Sequence, residues 1–144
     1  MRERVLLVED DELMGVLFEL VLVDAGYQVI RVRDGREAML RLAPDAPPID
    51  ALISDVGLGD GPDGWQVARR ARARALRLPV IYITGGRGDD WIPQHVPLGV
   101  MLQKPFHIDR MVELLAELLE AEIQARRAGL ARPDGGIPSA RGLC

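Results

Sequence analysis

A chain of 144 residues with 48% apolar content and a net charge of −4 is about one domain of sequence, long enough to bury a core without disulfide staples. The acidic balance argues against a general nucleic-acid binder, which carries a basic surplus, so no direct DNA binding is expected. Cys144 is the only cysteine, no secretory leader is visible, and the longest apolar stretch (13–23) is broken by Glu19 and too short for a bilayer. The expectation is a cytoplasmic protein with no membrane association.

Residues 4–9 (RVLLVE) are a short apolar run and predict a buried strand. Residues 11–25 show helical spacing at Leu13, Leu17, Leu20 and Val21, and Gly26 stops the helix. Residues 27–32 predict a second strand. Asp34 followed by Glu37 resembles a capping box and opens a helix to about Ala43, ended by Pro44, Pro47 and Pro48. Residues 49–54 predict a third strand, which delivers Asp55 into a glycine-rich loop, 57–64. Asp63 and Gln66 repeat the capping pattern and start a helix to about Leu76. Residues 79–84 and 98–103 predict strands four and five, and residues 107–127 a long last helix. The predicted domain is 1–128; the Gly/Pro/Arg-rich tail, 129–144, is expected to be disordered.

Strands and helices alternate throughout, which calls for an α/β fold: a parallel sheet covered by helices on both faces. In such a sheet the site lies at the carboxyl ends of the strands. There the polar residues gather. Glu9, Asp10 and Asp11 leave strand one, Asp55 leaves strand three, Thr84 ends strand four and Lys104 follows strand five. Clustered carboxylates repel one another and need neutralising, and a hard divalent cation with oxygen ligands, Mg2+, does so. Asp55 then becomes an ionised nucleophile toward phosphorus. Lys104 is the chain's only lysine among 18 basic residues. Its compact ammonium suits a crowded site shared with a metal better than a planar guanidinium does. Thr84 adds a hydroxyl donor for a phosphate oxygen.

The succession VLLVEDD, LISD at Asp55, YITG at Thr84 and QKPF at Lys104 resembles the receiver domain of bacterial two-component response regulators, over roughly residues 4–121. The resemblance implies a flavodoxin-like doubly wound five-stranded parallel sheet; its order, 2-1-3-4-5, is the order already known for such folds, receivers among them. It implies that Asp55 accepts a phosphoryl group from a histidine kinase or histidine phosphotransfer protein, with Thr84 and Lys104 assisting. It implies Mg2+ held by Glu9, Asp10, Asp55 and the Gly57 backbone carbonyl. It also implies a Lys104–Pro105 peptide that is often cis. Such a protein is not an enzyme in the usual sense. Mg2+-dependent self-phosphorylation from a phosphodonor and slow autodephosphorylation are expected.

The chain departs from the family pattern in three places. Met101 stands where relatives carry Tyr or Phe, and methionine cannot reproduce an aromatic rotamer switch. Pro93, Pro97 and a run of glycines between strands four and five predict a fourth helix that is short or replaced by a loop. The glycine-rich loop after Asp55 looks one residue longer than usual.

Other features have plainer readings. Asp11 reads as a helix-start residue. The run Arg69-Arg70-Ala71-Arg72-Ala73-Arg74 reads as a solvated helix face. Trp91 is a candidate either for a partner contact or for pinning its loop onto the core, and apolar residues on more than one stripe of the last helix suggest a second contact there, a homodimer or a kinase.

The sequence-level reading is a stand-alone single-domain receiver that signals to a downstream protein target. The alternative is a pseudo-receiver, an adaptor that works without phosphorylation. An aspartate-nucleophile phosphatase fits poorly, because Gly57 stands where the second aspartate is needed. A flavin mononucleotide carrier fits poorly because Glu9, Asp10 and Asp11 would repel its phosphate.

Overall fold

The computed structural model describes residues 2–85, 96–97 and 99–129. Its elements follow the order β1 (Arg4–Val8), α1 (Glu12–Asp24), β2 (Gln28–Val32), α2 (Gly35–Arg41), β3 (Ala51–Asp55), α3 (Gly64–Arg74), β4 (Val80–Thr84), β5 (Val100–Gln103) and α4 (Ile108–Arg127). All strand pairs are parallel, in the order β2-β1-β3-β4-β5. This is the flavodoxin-like doubly wound sheet.

Period-two alternation divides the core in two. Leu6, Val8, Leu52, Val80 and Tyr82 face α2 and α3, where Ala38, Trp65, Ala68 and Ala71 meet them. Val5, Leu7, Ile53, Ile81 and Ile83 face α1 and α4, where Phe18, Leu22, Met111 and Leu115 close over them. Each fully buried Leu, Ile or Phe contributes roughly 2 kcal/mol by the area it removes from water.

The helix ends are set locally. Asp11, Asp34 and Asp63 are N-caps, and each side chain accepts a backbone N–H three residues on. At Asp63 the box is reciprocal: the Gln66 side chain accepts the Asp63 N–H at 2.9 Å. Gly26, at φ +102°, ends α1 in the left-handed conformation, with Tyr27 N–H bonded to Leu22 O at 3.1 Å. Two helices stop earlier than expected. α2 ends at Arg41 and α3 at Arg74.

Among the described residues there are four helices, and the last, α4, is 20 residues long. The short or missing helix expected between strands four and five falls on residues 86–95, outside the described residues. So do Trp91 and, apart from Gly129, the tail.

The surplus apolar surface is not where the sequence put it. On α4, Met111, Leu114, Leu115 and Leu119 are buried, and Val112 and Leu118 pack half-buried against them. The exposed stripe lies on α1: Leu13 (76% exposed), Val16, Leu17, Leu20 (63%) and Val23. The steps of three and four residues line these up on the outer face, opposite Phe18 and Leu22.

Candidate functional site

The carboxyl ends of β1, β3, β4 and β5 bring the polar residues together. Asp55 is the last residue of β3, and it is buried. Glu9 directly follows β1, with its amide bonded to Val32 O at 3.1 Å and its side chain 1% exposed. Asp10 is next and exposed. Thr84 ends β4, and its carbonyl accepts the Lys104 N–H at 2.8 Å, which fixes the start of the β5–α4 turn. Lys104–Pro105 is cis. From there Lys104 Nζ reaches Glu9 Oε1 at 3.4 Å and Asp55 Oδ2 at 3.6 Å.

Glu9, Asp10 and Asp55 each offer one carboxylate oxygen, and the three oxygens lie within 4.8 Å of one another. Glu9 Oε2 is buried and has no hydrogen-bond partner among the described residues. A buried, unpaired acceptor beside two more carboxylates suits a hard cation, which would supply the missing charge and coordination. The residues fit Mg2+ by donor type. Gly57, two residues beyond Asp55, is exposed, and a Cβ there would meet no atom of the described residues within 4 Å.

Burial is the main cause that pushes the Glu9 carboxyl up to about 8; closeness to Asp55 adds to it and Lys104 opposes it. Burial works against the charged form of Lys104, but Asp55 and Glu9 together outweigh it and hold the ammonium above its ordinary range. At neutral pH without a cation, Glu9 therefore keeps its proton, and Lys104 pairs foremost with Asp55.

The structure separates Asp11 from this group. Its Oδ1 accepts Met14 N–H at 3.0 Å, the helix-start role. Met101 is half-buried against the cluster that contains Trp65 and Tyr82. The arginine run is less solvated than the sequence suggested: Arg72 donates to the carbonyls of Leu78 and Pro97, and Arg74 to that of Ala46.

Two positions that brace the site escaped the sequence reading. A Cβ on Gly64 would sit 2.2 Å from Asp55 O, so the first turn of α3 rests directly on the Asp55 backbone. A Cβ on Gly35 would sit 2.0 Å from Pro62 O, so the start of α2 holds the loop that follows Asp55. Glycines are common in loops and at helix starts, and only the long-range contact distinguishes these two.

The fold is a doubly wound α/β domain with an acid cluster at the carboxyl edge of its sheet, and comparison places it. The family model of the response regulator receiver domain matches residues 5–116, and the chain belongs to this family. It is 34% identical over 137 residues to the virulence transcriptional regulatory protein PhoP of Salmonella choleraesuis, covering 94% of this chain and 58% of that protein. Over 140 residues it is 32% identical to the transcriptional regulatory protein PhoP of Escherichia coli, covering 94% and 55%. The chain thus spans little more than half the length of these curated relatives. Among solved structures, a response regulator receiver protein from Sinorhizobium medicae superposes with a TM-score of 0.80 at 35% identity, covering 83% of this chain and 96% of that one. The receiver domain of the hybrid histidine kinase CckA gives 0.67 at 31% identity, covering 81% and 98%. Among the described residues no helix is long and apolar enough to cross a membrane.

Proposed function

We propose that this receiver works by phosphorylation: Asp55 takes a phosphoryl group from a histidine kinase or a histidine phosphotransfer protein, and the phosphorylated domain signals by contact with a downstream protein. One observation carries the reading, the convergence of three carboxylates within 4.8 Å beside the ammonium of Lys104. Isolated carboxylates at loop starts need no such company.

In the transfer, an Asp55 oxygen attacks phosphorus in line. The bond from phosphorus to the donor's imidazole nitrogen breaks, and its electron pair leaves with the nitrogen. Glu9, Asp10, Asp55 and the Gly57 carbonyl would hold Mg2+, which when bound offsets the repulsion between carboxylates and phosphoryl oxygens. Lys104 would answer the negative charge carried by the transferred group, from a position already fixed by Glu9 and Asp55. The Thr84 hydroxyl would donate to a second phosphoryl oxygen. Water then cleaves the acyl phosphate slowly.

The donor needs a surface to sit on while its imidazole reaches Asp55. The exposed stripe of α1 starts at Leu13, three residues past Asp10, and offers an apolar track leading away from the acid site. An amphipathic helix of the donor fits that track.

The test is intact mass after incubation with acetyl phosphate and Mg2+, alongside Asp55→Asn and metal-free controls. The expected gain is one phosphoryl group, lost in both controls and decaying slowly when the donor is removed. Folded protein that gains nothing would instead be a pseudo-receiver.

A further inference from the structure

We propose that the cleft at the amino-terminal edge of the sheet binds a small organic anion with a flat apolar body. The cleft holds about 390 Å³, which is small-molecule size and too small for a helix. Its walls come from α3, the end of α4 and the segments that follow α2 and α3. Leu42, Ala71 and Leu78 are buried core residues that present an apolar floor, and Ile49 and Ala75 are half-buried beside them.

The lining carries its charge in three residues, Arg74, Arg126 and Asp50. Arg74 Nη2 donates to the Ala46 carbonyl at 3.0 Å, so this guanidinium is held in place with further N–H groups to offer. Arg126 is steadied through Nε by Glu122 at 3.3 Å. The single carboxylate is already engaged, since Asp50 Oδ2 accepts the Arg4 N–H at 2.7 Å. Arg126 is thus paired with the Glu122 carboxylate and Asp50 keeps its charge, so Arg74, which is bonded to a carbonyl and forms no carboxylate bridge among the described residues, is the cation the cleft offers an anion. Arg2 and Arg4 line an adjoining hollow that shares Pro48 and Asp50, although Glu3 lies among them.

The carboxylates of Glu9, Asp10 and Asp55 crowd the opposite edge of the sheet. An anion is thus repelled at one edge and attracted at the other. The five residues of β3 separate the two, about 15 Å at the usual strand rise. Occupancy of the cleft would touch none of the groups around Asp55.

The probe is 8-anilinonaphthalene-1-sulfonate, titrated into the full chain and followed by fluorescence and by amide chemical shifts. The expected result is saturable one-to-one binding, with shifts at Ile49, Ala71, Ala75 and Leu78. Ala75→Leu fills the cleft and Arg74→Gln removes a cation; each should weaken binding at least fivefold and leave Mg2+-dependent phosphorylation unchanged. The neutral analogue N-phenyl-1-naphthylamine should bind at least fivefold more weakly, a comparison that needs no variant to fold. Shifts confined to the exposed face of α1, equal binding of the neutral analogue, or unaltered binding to Arg74→Gln would each overturn the proposal.

Discussion

Lys104 Nζ stands 3.4 Å from Glu9 Oε1 and 3.6 Å from Asp55 Oδ2, one ammonium shared by carboxylates from two other strand ends. The only lysine of the chain thus occupies the point where three β-strand termini meet. A guanidinium would have to fit a planar fork between two carboxylates and leave room for a cation.

Lys104→Arg should keep the fold and reduce phosphorylation from a small phosphodonor by roughly 10²-fold, as for the loss of one well-placed donor. A time course of intact mass measures it. Lys104→Ala should also destabilise the cation-free protein by ~2 kcal/mol in urea, below the range for fully buried pairs because 31% of the lysine side chain meets water. A wild-type rate in Lys104→Arg would falsify the point-charge argument.

Stability of the cation-free protein should fall as pH rises. Glu9 titrates near 8 in the folded chain against a usual value of 4.5, so between these values the folded state holds a proton that the unfolded state has released. Its contribution is fully present below about 4.5 and lost as pH climbs through 8. The slope approaches roughly 1.4 kcal/mol per pH unit for this one group. Urea unfolding of the wild type at pH 5.5, 7 and 8.5 should show the decline, and Glu9→Gln should flatten it. Adding Mg2+ should stabilise the wild type more at pH 8.5 than at pH 5.5, because the cation competes with that proton.

Gly64→Ala should be costly. The added methyl would lie 2.2 Å from Asp55 O and 2.7 Å from Val56 Cα, both of them backbone atoms with no soft direction of escape. A loss of roughly 3 kcal/mol or more is expected in urea unfolding. Any folded fraction should phosphorylate slowly, since relief of the clash shifts Asp55. Gly57→Ala is the matched control, because its methyl meets no atom of the described residues within 4 Å.

Leu17→Asp and Leu20→Asp change the exposed stripe of α1 without touching the acid cluster. Both should fold as the wild type does, with stability changes within about 0.5 kcal/mol. Phosphorylation from acetyl phosphate should be unaffected, while transfer from a phosphorylated cognate histidine kinase should fall at least tenfold. Equal transfer in all three proteins would mean that the donor docks elsewhere.

The sequence by itself determined whatever local chemistry can specify. Asp11, Asp34 and Asp63 start helices because each carboxylate bonds an amide three residues away. Gly26 ends α1 because it tolerates φ +102°. Apolar runs that stop at Glu9, Asp55, Thr84 and Lys104 mark strand ends, and parallel strands bring those ends to one edge. Tertiary structure decided what depends on neighbours distant in the chain. Glu9 looks no different in sequence from the exposed Asp10, yet it is buried because β2 and the Lys104 turn close over it. Gly64 reads as one more loop glycine until α3 settles on the Asp55 carbonyl. The apolar surplus, which helical spacing assigns to α4, appears on α1 instead. A helix pattern records how many apolar residues a face carries; which face meets solvent is settled only when the helices share the sheet.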